Sequence, residues 1–128
     1  MAGQILVVDD EADVLLLLRK GLAAEGYSVI TADNGKDAVM LAESEHPDLI
    51  ILDVLMPDID GGEVARRLKE SPETGNIPVI FLTGMFPKRE GEEEGREVGG
   101  HILFDKPYDI LKLISAMEEL MQKQETTA

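Results

Sequence analysis

The sequence contains no cysteine and no tryptophan, and aromatic residues make up only 4% of its 128 residues. The absence of cysteine excludes disulfides, thiolate metal sites and cysteine nucleophiles. Basic residues are also scarce, because 12 Lys and Arg stand against 26 Asp and Glu and give a formal net charge of −14. Such a charge repels phosphate backbones and anionic lipid, so we expect no direct binding of nucleic acid.

Long hydrophobic runs are absent as well. No apolar stretch approaches the roughly 18 residues that are needed to span a bilayer, so membrane insertion is not expected. The first four residues lead into an apolar run without the basic and apolar segments of a secretory signal, which favours a cytoplasmic location. The length predicts one domain, which we place at residues 1–122, followed by a short polar tail at residues 123–128.

Short apolar runs alternate with amphipathic stretches, a pattern typical of an α/β fold in which helices cover both faces of a parallel sheet. Strands are predicted at residues 5–8, 28–32, 48–53, 78–82 and 102–105. Helices are predicted at residues 11–25, 35–46, from about 61 and at about 110–121. Another helix, within residues 87–100, is predicted to be short and poorly anchored, because this segment holds several glycines and almost no apolar stripe.

Chemically reactive side chains follow four of the five predicted strands. Asp9 and Asp10 follow the first strand, Asp53 ends the third, Thr83 follows the fourth and Lys106 follows the fifth. The carboxyl ends of parallel strands meet at one edge of the sheet, which is where open α/β sheets bind their ligands. We therefore expect these five side chains to form one pocket.

Three carboxylates in one pocket oppose each other's ionisation unless a cation lies among them. Mg²⁺ prefers oxygen ligands and keeps several waters, so carboxylates, a backbone carbonyl and a phosphate oxygen suit it. We predict a Mg²⁺ site, with Mn²⁺ as an alternative ion. Taken alone, an acid such as Asp10 could instead be a helix N-cap.

Asp53 is the predicted nucleophile, since aspartate can accept a phosphoryl group when a metal and cationic side chains neutralise the developing charge. Lys106 would serve as counter-ion and phosphate ligand. A surface lysine before a helix-starting proline is the alternative for Lys106. The bond between Lys106 and Pro107 is a candidate cis peptide.

These motifs together resemble the receiver domain of bacterial response regulators: the pair Asp9-Asp10, Asp53 within residues 52–57 (LDVLMP), Thr83-Gly84 and Lys106-Pro107. The resemblance covers nearly the whole chain. It implies a flavodoxin-like, doubly wound sheet of five parallel strands in the order 2-1-3-4-5. It also implies that Asp53 accepts a phosphoryl group from a sensor histidine kinase or a histidine phosphotransfer protein.

The resemblance implies a role for each site residue. Asp9, Asp10, Asp53 and the backbone carbonyl of Leu55 would hold Mg²⁺. The side chains of Thr83 and Lys106 would bind the phosphoryl oxygens. The backbone amides of Val54 and Gly84 would bind them as well.

Two features depart from the usual family pattern. Leu103 stands where the family usually has an aromatic switch residue, and Phe104 beside it should face the other side of the strand. Residues 81–86 (FLTGMF) resemble a subgroup with a loose fourth helix, in which Phe86 could replace the missing aromatic or be only a core or hinge residue. Thr83, Leu103 and Phe86 are thus the switch candidates.

We expect a stand-alone receiver that signals to a downstream protein target through a change of its surface. It would catalyse only its own phosphorylation and dephosphorylation. The residues after Asp9 do not match a phosphohydrolase of the haloacid-dehalogenase type. A flavodoxin is disfavoured, because the first loop lacks hydroxyl and glycine residues for a flavin phosphate. A pure interaction module is disfavoured by the presence of all five key side chains.

Overall fold

A computed structural model of the protein describes residues 3–53, 61–83, 96–98, 101–105 and 109–127. The elements in these ranges are β1 (Gln4–Val8), α1 (Ala12–Ala24), β2 (Ser28–Ala32), α2 (Gly35–Glu45), β3 (Leu49–Asp53), α3 (Gly61–Glu70), β4 (Val79–Thr83), β5 (Arg96–Val98), β6 (His101–Asp105) and α4 (Ile110–Thr127). No helix in these ranges combines the length and the apolar character that are needed to cross a membrane.

The strands form one sheet in the order β2-β1-β3-β4-β6-β5. The five strands β2, β1, β3, β4 and β6 run parallel to one another, and β6 takes the place of the predicted fifth strand. The predicted flavodoxin-like fold and strand order are therefore confirmed.

β5 is an edge strand that the sequence analysis did not predict. It pairs antiparallel to β6, with Arg96 opposite Leu103 and Val98 opposite His101. The predicted loose helix is therefore wrong for Arg96–Val98, while residues 87–95, where most of it would lie, are outside the described residues. The pair Gly99-Gly100 stands between the two strands in the sequence and is a dipeptide that two-residue hairpins favour.

α4 continues to Thr127, past residue 122 where we expected a polar tail to begin. Gln, Lys and Glu follow in this part of the sequence, and all three are good helix formers even without an apolar stripe to pack. The helical backbone therefore includes residues 123–127 of the predicted polar tail. The domain boundary at residue 122 stays a prediction.

The sheet is buried on both faces, as expected for parallel strands between helices. Alternate residues of each strand point to opposite faces, so Ile5 and Val7 pack on one side and Leu6 and Val8 on the other. α1 and α4 cover the first face through the side chains Leu18, Leu22, Leu113 and Met117. α2 and α3 cover the second face through Ala38, Ala42, Val64 and Leu68.

Local signals determine where α1 ends and where α2 begins and ends. Gly26 follows α1 with a φ of 94°, a backbone conformation that glycine adopts without steric cost. Asn34 caps α2, since its side-chain oxygen accepts a hydrogen bond from the backbone N–H of Asp37 at 2.8 Å. His46 ends α2 in the left-handed conformation, before Pro47.

We expect Asn34→Ala to lower the free energy of unfolding by about 0.5–2 kcal/mol, because the first turn of α2 loses its cap. Asn34→Ser keeps an oxygen acceptor and is the matched control. Equilibrium urea unfolding of both variants measures the effect. Equal losses in the two variants would show that the cap is not the cause.

Because of Tyr27, we expect the free energy of unfolding to depend on pH in the alkaline range. Burial, together with the carboxylates of Glu118 and Glu25, raises the pKa of Tyr27 above its ordinary value. The folded state thus favours the neutral phenol. The contribution of Tyr27 is fully present below the unfolded-state pKa of about 10 and is lost as the pH rises through the higher folded-state pKa.

We therefore expect the unfolding free energy to fall more steeply between about pH 8 and about pH 11 in the natural protein than in Tyr27→Phe. Urea unfolding at the two pH values measures this difference. Parallel pH profiles for the two proteins would contradict the assignment.

Candidate functional site

The candidate site lies at the C-terminal ends of the central strands. β1 and β3 are parallel neighbours, with Val8 opposite Leu52. Asp9 follows β1 directly, and Asp53 is the last residue of β3. The register of these two strands therefore brings both aspartates to the same edge of the sheet.

Three carboxylates meet at this edge. One carboxylate oxygen from each of Asp9, Asp10 and Asp53 lies within 4.8 Å of the others. Asp9 has no solvent exposure and Asp53 has 4%, whereas Asp10 is exposed. The group is thus anchored in the protein interior and accessible from solvent through its third member.

The backbone fixes the orientation of Asp9. Its N–H donates to the carbonyl of Ala32 at 3.2 Å, which continues the contact between β1 and β2 beyond the strands. Its carboxylate Oδ1 accepts a hydrogen bond from the N–H of Glu11 at 2.9 Å. These contacts hold the carboxylate just before the N-terminus of α1, the end of a helix that favours negative charge.

Sequence reasoning missed the roles of Ala32 and Glu11, which act through backbone atoms. The contact with Glu11 is of a kind that can be anticipated, since Asp side chains often bind the N–H two residues further on. The contact with Ala32 depends on the pairing of β1 with β2, which no local signal specifies.

The three carboxylates fit a hard divalent cation. Two unit charges 4 Å apart interact with about 1 kcal/mol in bulk water and about 4 kcal/mol near a protein surface, so ionised carboxylates at this spacing repel each other. Carboxylate oxygens are the donors that Mg²⁺ and Mn²⁺ prefer. Because Asp10 is exposed, water and a further oxygen ligand can approach the group.

Thr83 is the last residue of β4, and its backbone lies opposite Asp105 of β6. Asp53 lies opposite Leu82 in the neighbouring pair of strands. The backbone of Thr83 is therefore at the same edge of the sheet as Asp53. The position of the Thr83 side chain is outside the described part of the structure.

The remaining predicted site residues are not all described. The backbone of Leu103 lies in β6 opposite Phe81, but its side chain is outside the described part. Phe104 beside it is buried in the core between the sheet and helices α1 and α4. Other predicted residues lie wholly outside the described residues, namely Val54, Leu55, Gly84, Phe86, Lys106 and Pro107.

Comparison with known proteins identifies the family. The model of a family described as the response regulator receiver domain matches residues 5–118. The response regulator PleD of Caulobacter vibrioides is 43% identical over 121 residues, which cover 94% of this chain and 26% of PleD. The chain spans about a quarter to about half of the length of the curated relatives it matches.

Solved structures agree with this assignment. The signal receiver domain of a signal transduction histidine kinase from Syntrophus aciditrophicus is 33% identical, with a TM-score of 0.78 and coverage of 95% of this chain and 92% of that one. A CheY-like receiver domain protein from Methanospirillum hungatei JF-1 has a TM-score of 0.82 over the full length of both chains. Because its sequence identity to this chain is only 23%, this structure supports the fold alone.

The extent of the family match, the identity to PleD and the acidic group at the strand ends lead to one conclusion. The chain belongs to the family of response regulator receiver domains, the phosphoacceptors of two-component signalling.

Proposed function

We propose that Asp53 accepts a phosphoryl group from a phosphohistidine on a sensor histidine kinase or a histidine phosphotransfer protein. The main support is the meeting of Asp9, Asp10 and Asp53, whose carboxylate oxygens lie within 4.8 Å of one another. Asp53 is the member that ends the central strand β3, and it is almost completely buried.

In this proposal Mg²⁺ would be held by Asp9, Asp10, Asp53 and the backbone carbonyl of Leu55, with Mn²⁺ as an alternative ion. The three described carboxylates supply suitable oxygen donors. The bound ion would neutralise part of the negative charge on the transferring phosphoryl group.

Asp53 performs the covalent step. One of its carboxylate oxygens forms a bond to phosphorus while the bond between phosphorus and the imidazole nitrogen of the donor breaks. The electron pair of the broken bond stays on that nitrogen, and Asp53 becomes an acyl phosphate. The buried carboxylate of Asp9 accepts a hydrogen bond from the N–H of Glu11, which would hold it beside Asp53.

The phosphoryl oxygens are proposed to bind the hydroxyl of Thr83, the ammonium of Lys106 and the amides of Val54 and Gly84. Two observations support this. The backbone of Thr83 lies at the same edge as Asp53. Lys106 directly follows the C-terminal end of β6 in the sequence.

We propose that the added charge draws Thr83 toward the phosphoryl group and shifts the neighbouring loops, with Leu103 and Phe86 as further switch candidates. The changed surface would be recognised by a downstream protein target in the cytoplasm. We also propose that the chain acts as a stand-alone receiver. The intact mass of the protein isolated from its native cells tests this, because a receiver joined to an output domain would be heavier than this chain.

The test of phosphorylation uses the chain itself, Mg²⁺ and acetyl phosphate as a small phosphodonor. Intact mass spectrometry should show the addition of one phosphoryl group per chain, and chelation of the divalent ion should suppress it. An unchanged mass in the presence of Mg²⁺, with the chain folded, would reject the proposal.

A second experiment tests the charge balance of the acidic group. Asp10→Asn should raise the free energy of unfolding by about 1 kcal/mol in the absence of divalent ions. The variant loses about 0.3–1 kcal/mol of favourable interaction with the N-terminus of α1, but it is relieved of a larger repulsion from Asp9 and Asp53. Mg²⁺ should then stabilise the variant less than the natural protein. Urea unfolding with chelator and with Mg²⁺ measures both effects.

Asp13→Asn is the matched control, since Asp13 is an exposed acid in the first turn of α1 that does not belong to the acidic group. This variant should lose a little stability and keep the full response to Mg²⁺. The same response to Mg²⁺ in Asp10→Asn and Asp13→Asn would show that Asp10 is not a ligand.

A further inference from the structure

A cleft of about 550 Å³ lies at the β2 edge of the sheet and is lined by residues of α1, β2 and α2. β2 is the outermost strand on this side. Leu15 of α1, Ala32 of β2 and Leu41 of α2 supply apolar walls. Its volume falls in the range of about 300–1,000 Å³ that is typical of ligand pockets. The cleft is separate from the acidic group, whose three aspartates do not line it.

Met40 lines the same cleft and is 58% exposed. A single exposed apolar side chain is common on protein surfaces and indicates nothing by itself. At the rim of an apolar cleft, however, the unbranched and polarisable side chain of methionine can adapt to the shape of a bound partner. Met40 thus adds an exposed apolar side chain to the apolar part of the cleft.

Two carboxylates line the cleft as well, those of Asp33 and Asp37. The side-chain nitrogen of Asn34 donates to Asp33 Oδ1 at 2.7 Å and to Asp37 Oδ2 at 3.0 Å, which keeps the two acids next to each other. In the part of the chain that the structure describes, neither carboxylate forms an ion pair with Lys or Arg. A pair of negative charges therefore remains available beside the apolar walls.

We infer that this cleft binds a segment of a partner protein that carries a lysine or arginine next to apolar side chains. The cation would face Asp33 and Asp37, and the apolar side chains would contact Leu15, Leu41 and Met40. We choose this partner because its positive charge complements the carboxylates of Asp33 and Asp37. A second copy of the chain is disfavoured, because its net charge of −14 would meet an acidic cleft. This binding requires neither Mg²⁺ nor phosphorylation, so it goes beyond the proposed function.

The test titrates the isotopically labelled chain with a set of short synthetic peptides, each with one arginine and two leucines at different spacings. At least one peptide should shift the NMR resonances of Ala32, Asp37 and Met40. The matched peptide with glutamate in place of arginine should bind at least about tenfold more weakly, because it replaces attraction by repulsion. The titration is repeated on Asp53→Asn, where binding should persist even if the phosphorylation proposal fails.

Variants of the chain locate the binding surface. Asp37→Asn should weaken binding about two- to fivefold, as expected for an exposed ion pair, while it keeps the backbone N–H that Asn34 caps. Met40→Ser removes the apolar contact without adding charge and should weaken binding at least about tenfold. Leu111→Ser is the control, because Leu111 is a 68% exposed apolar residue of α4 that does not line the cleft.

Four results would overturn the inference. The first is that no peptide of the set shifts the cleft resonances. The second is equal binding of the arginine and glutamate peptides. The third is equal weakening by Met40→Ser and Leu111→Ser. The fourth is a shift of the same resonances on raising the protein concentration alone, which would make a second copy the occupant.

Discussion

Asp53→Asn is expected to abolish phosphoryl incorporation from acetyl phosphate, to below the detection limit of intact mass spectrometry. The amide carries no negative charge and is a poor nucleophile, so no acyl phosphate forms. The change is nearly isosteric at a site with 4% exposure, so the fold should persist. Removing one of three repelling carboxylates should even raise the free energy of unfolding in the absence of divalent ions.

Asp48→Asn is the matched control for this prediction. Asp48 precedes the first residue of β3, at the opposite end of the strand from Asp53, and its carboxylate accepts a hydrogen bond from the Gln4 N–H at 2.7 Å. An asparagine oxygen can accept the same bond, so this variant should be phosphorylated normally. Phosphorylation that persists in Asp53→Asn would falsify the assignment of the phosphoacceptor. Hydrolysis of a generic phosphate ester that is lost in Asp9→Asn and kept in Asp53→Asn would instead support a phosphohydrolase.

Phe104→Ala is expected to lower the free energy of unfolding by about 3–5 kcal/mol. Phe104 is 1% exposed and lies in the core cluster that joins the sheet to α1 and α4. Truncation removes most of its apolar surface and leaves a cavity that the surrounding strands can close only in part. Native domains are typically stable by only about 5–15 kcal/mol, so this variant should unfold at much lower urea concentration.

Leu111→Ala provides the comparison on the same side of the molecule. Leu111 belongs to α4 but is 68% exposed, so the substitution should change the free energy of unfolding by no more than about 0.5 kcal/mol. Equilibrium urea unfolding measures both variants. A loss of less than about 1 kcal/mol in Phe104→Ala would mean that Phe104 does not pack as the structure shows.

Much of the fold could be predicted because its signals are local. The apolar run at residues 49–52 belongs to a strand that is buried on both faces, and such strands have continuous apolar sequences. Asn34 and Gly26 mark helix ends through their own backbone and side-chain preferences. The short apolar run at residues 28–32 predicted β2 with the bounds that the structure has.

Other features could not be predicted in this way. β5 is only three residues long and exists through its pairing with β6, so its own sequence carries little strand signal. The cleft beside β2 requires residues from three elements to lie together. The roles of Thr83, Leu103 and Lys106 rest on the family resemblance and stay predictions.

The sequence by itself determined which residues end strands and therefore which side chains could react, because apolar runs and turn residues act over a few positions. Only the tertiary structure decided that Asp9, Asp10 and Asp53 approach within 4.8 Å. That distance depends on the register of β1 against β3, which is set by packing on both faces of the sheet. A slip of one residue would move every side chain of a strand to the other face and separate the acids.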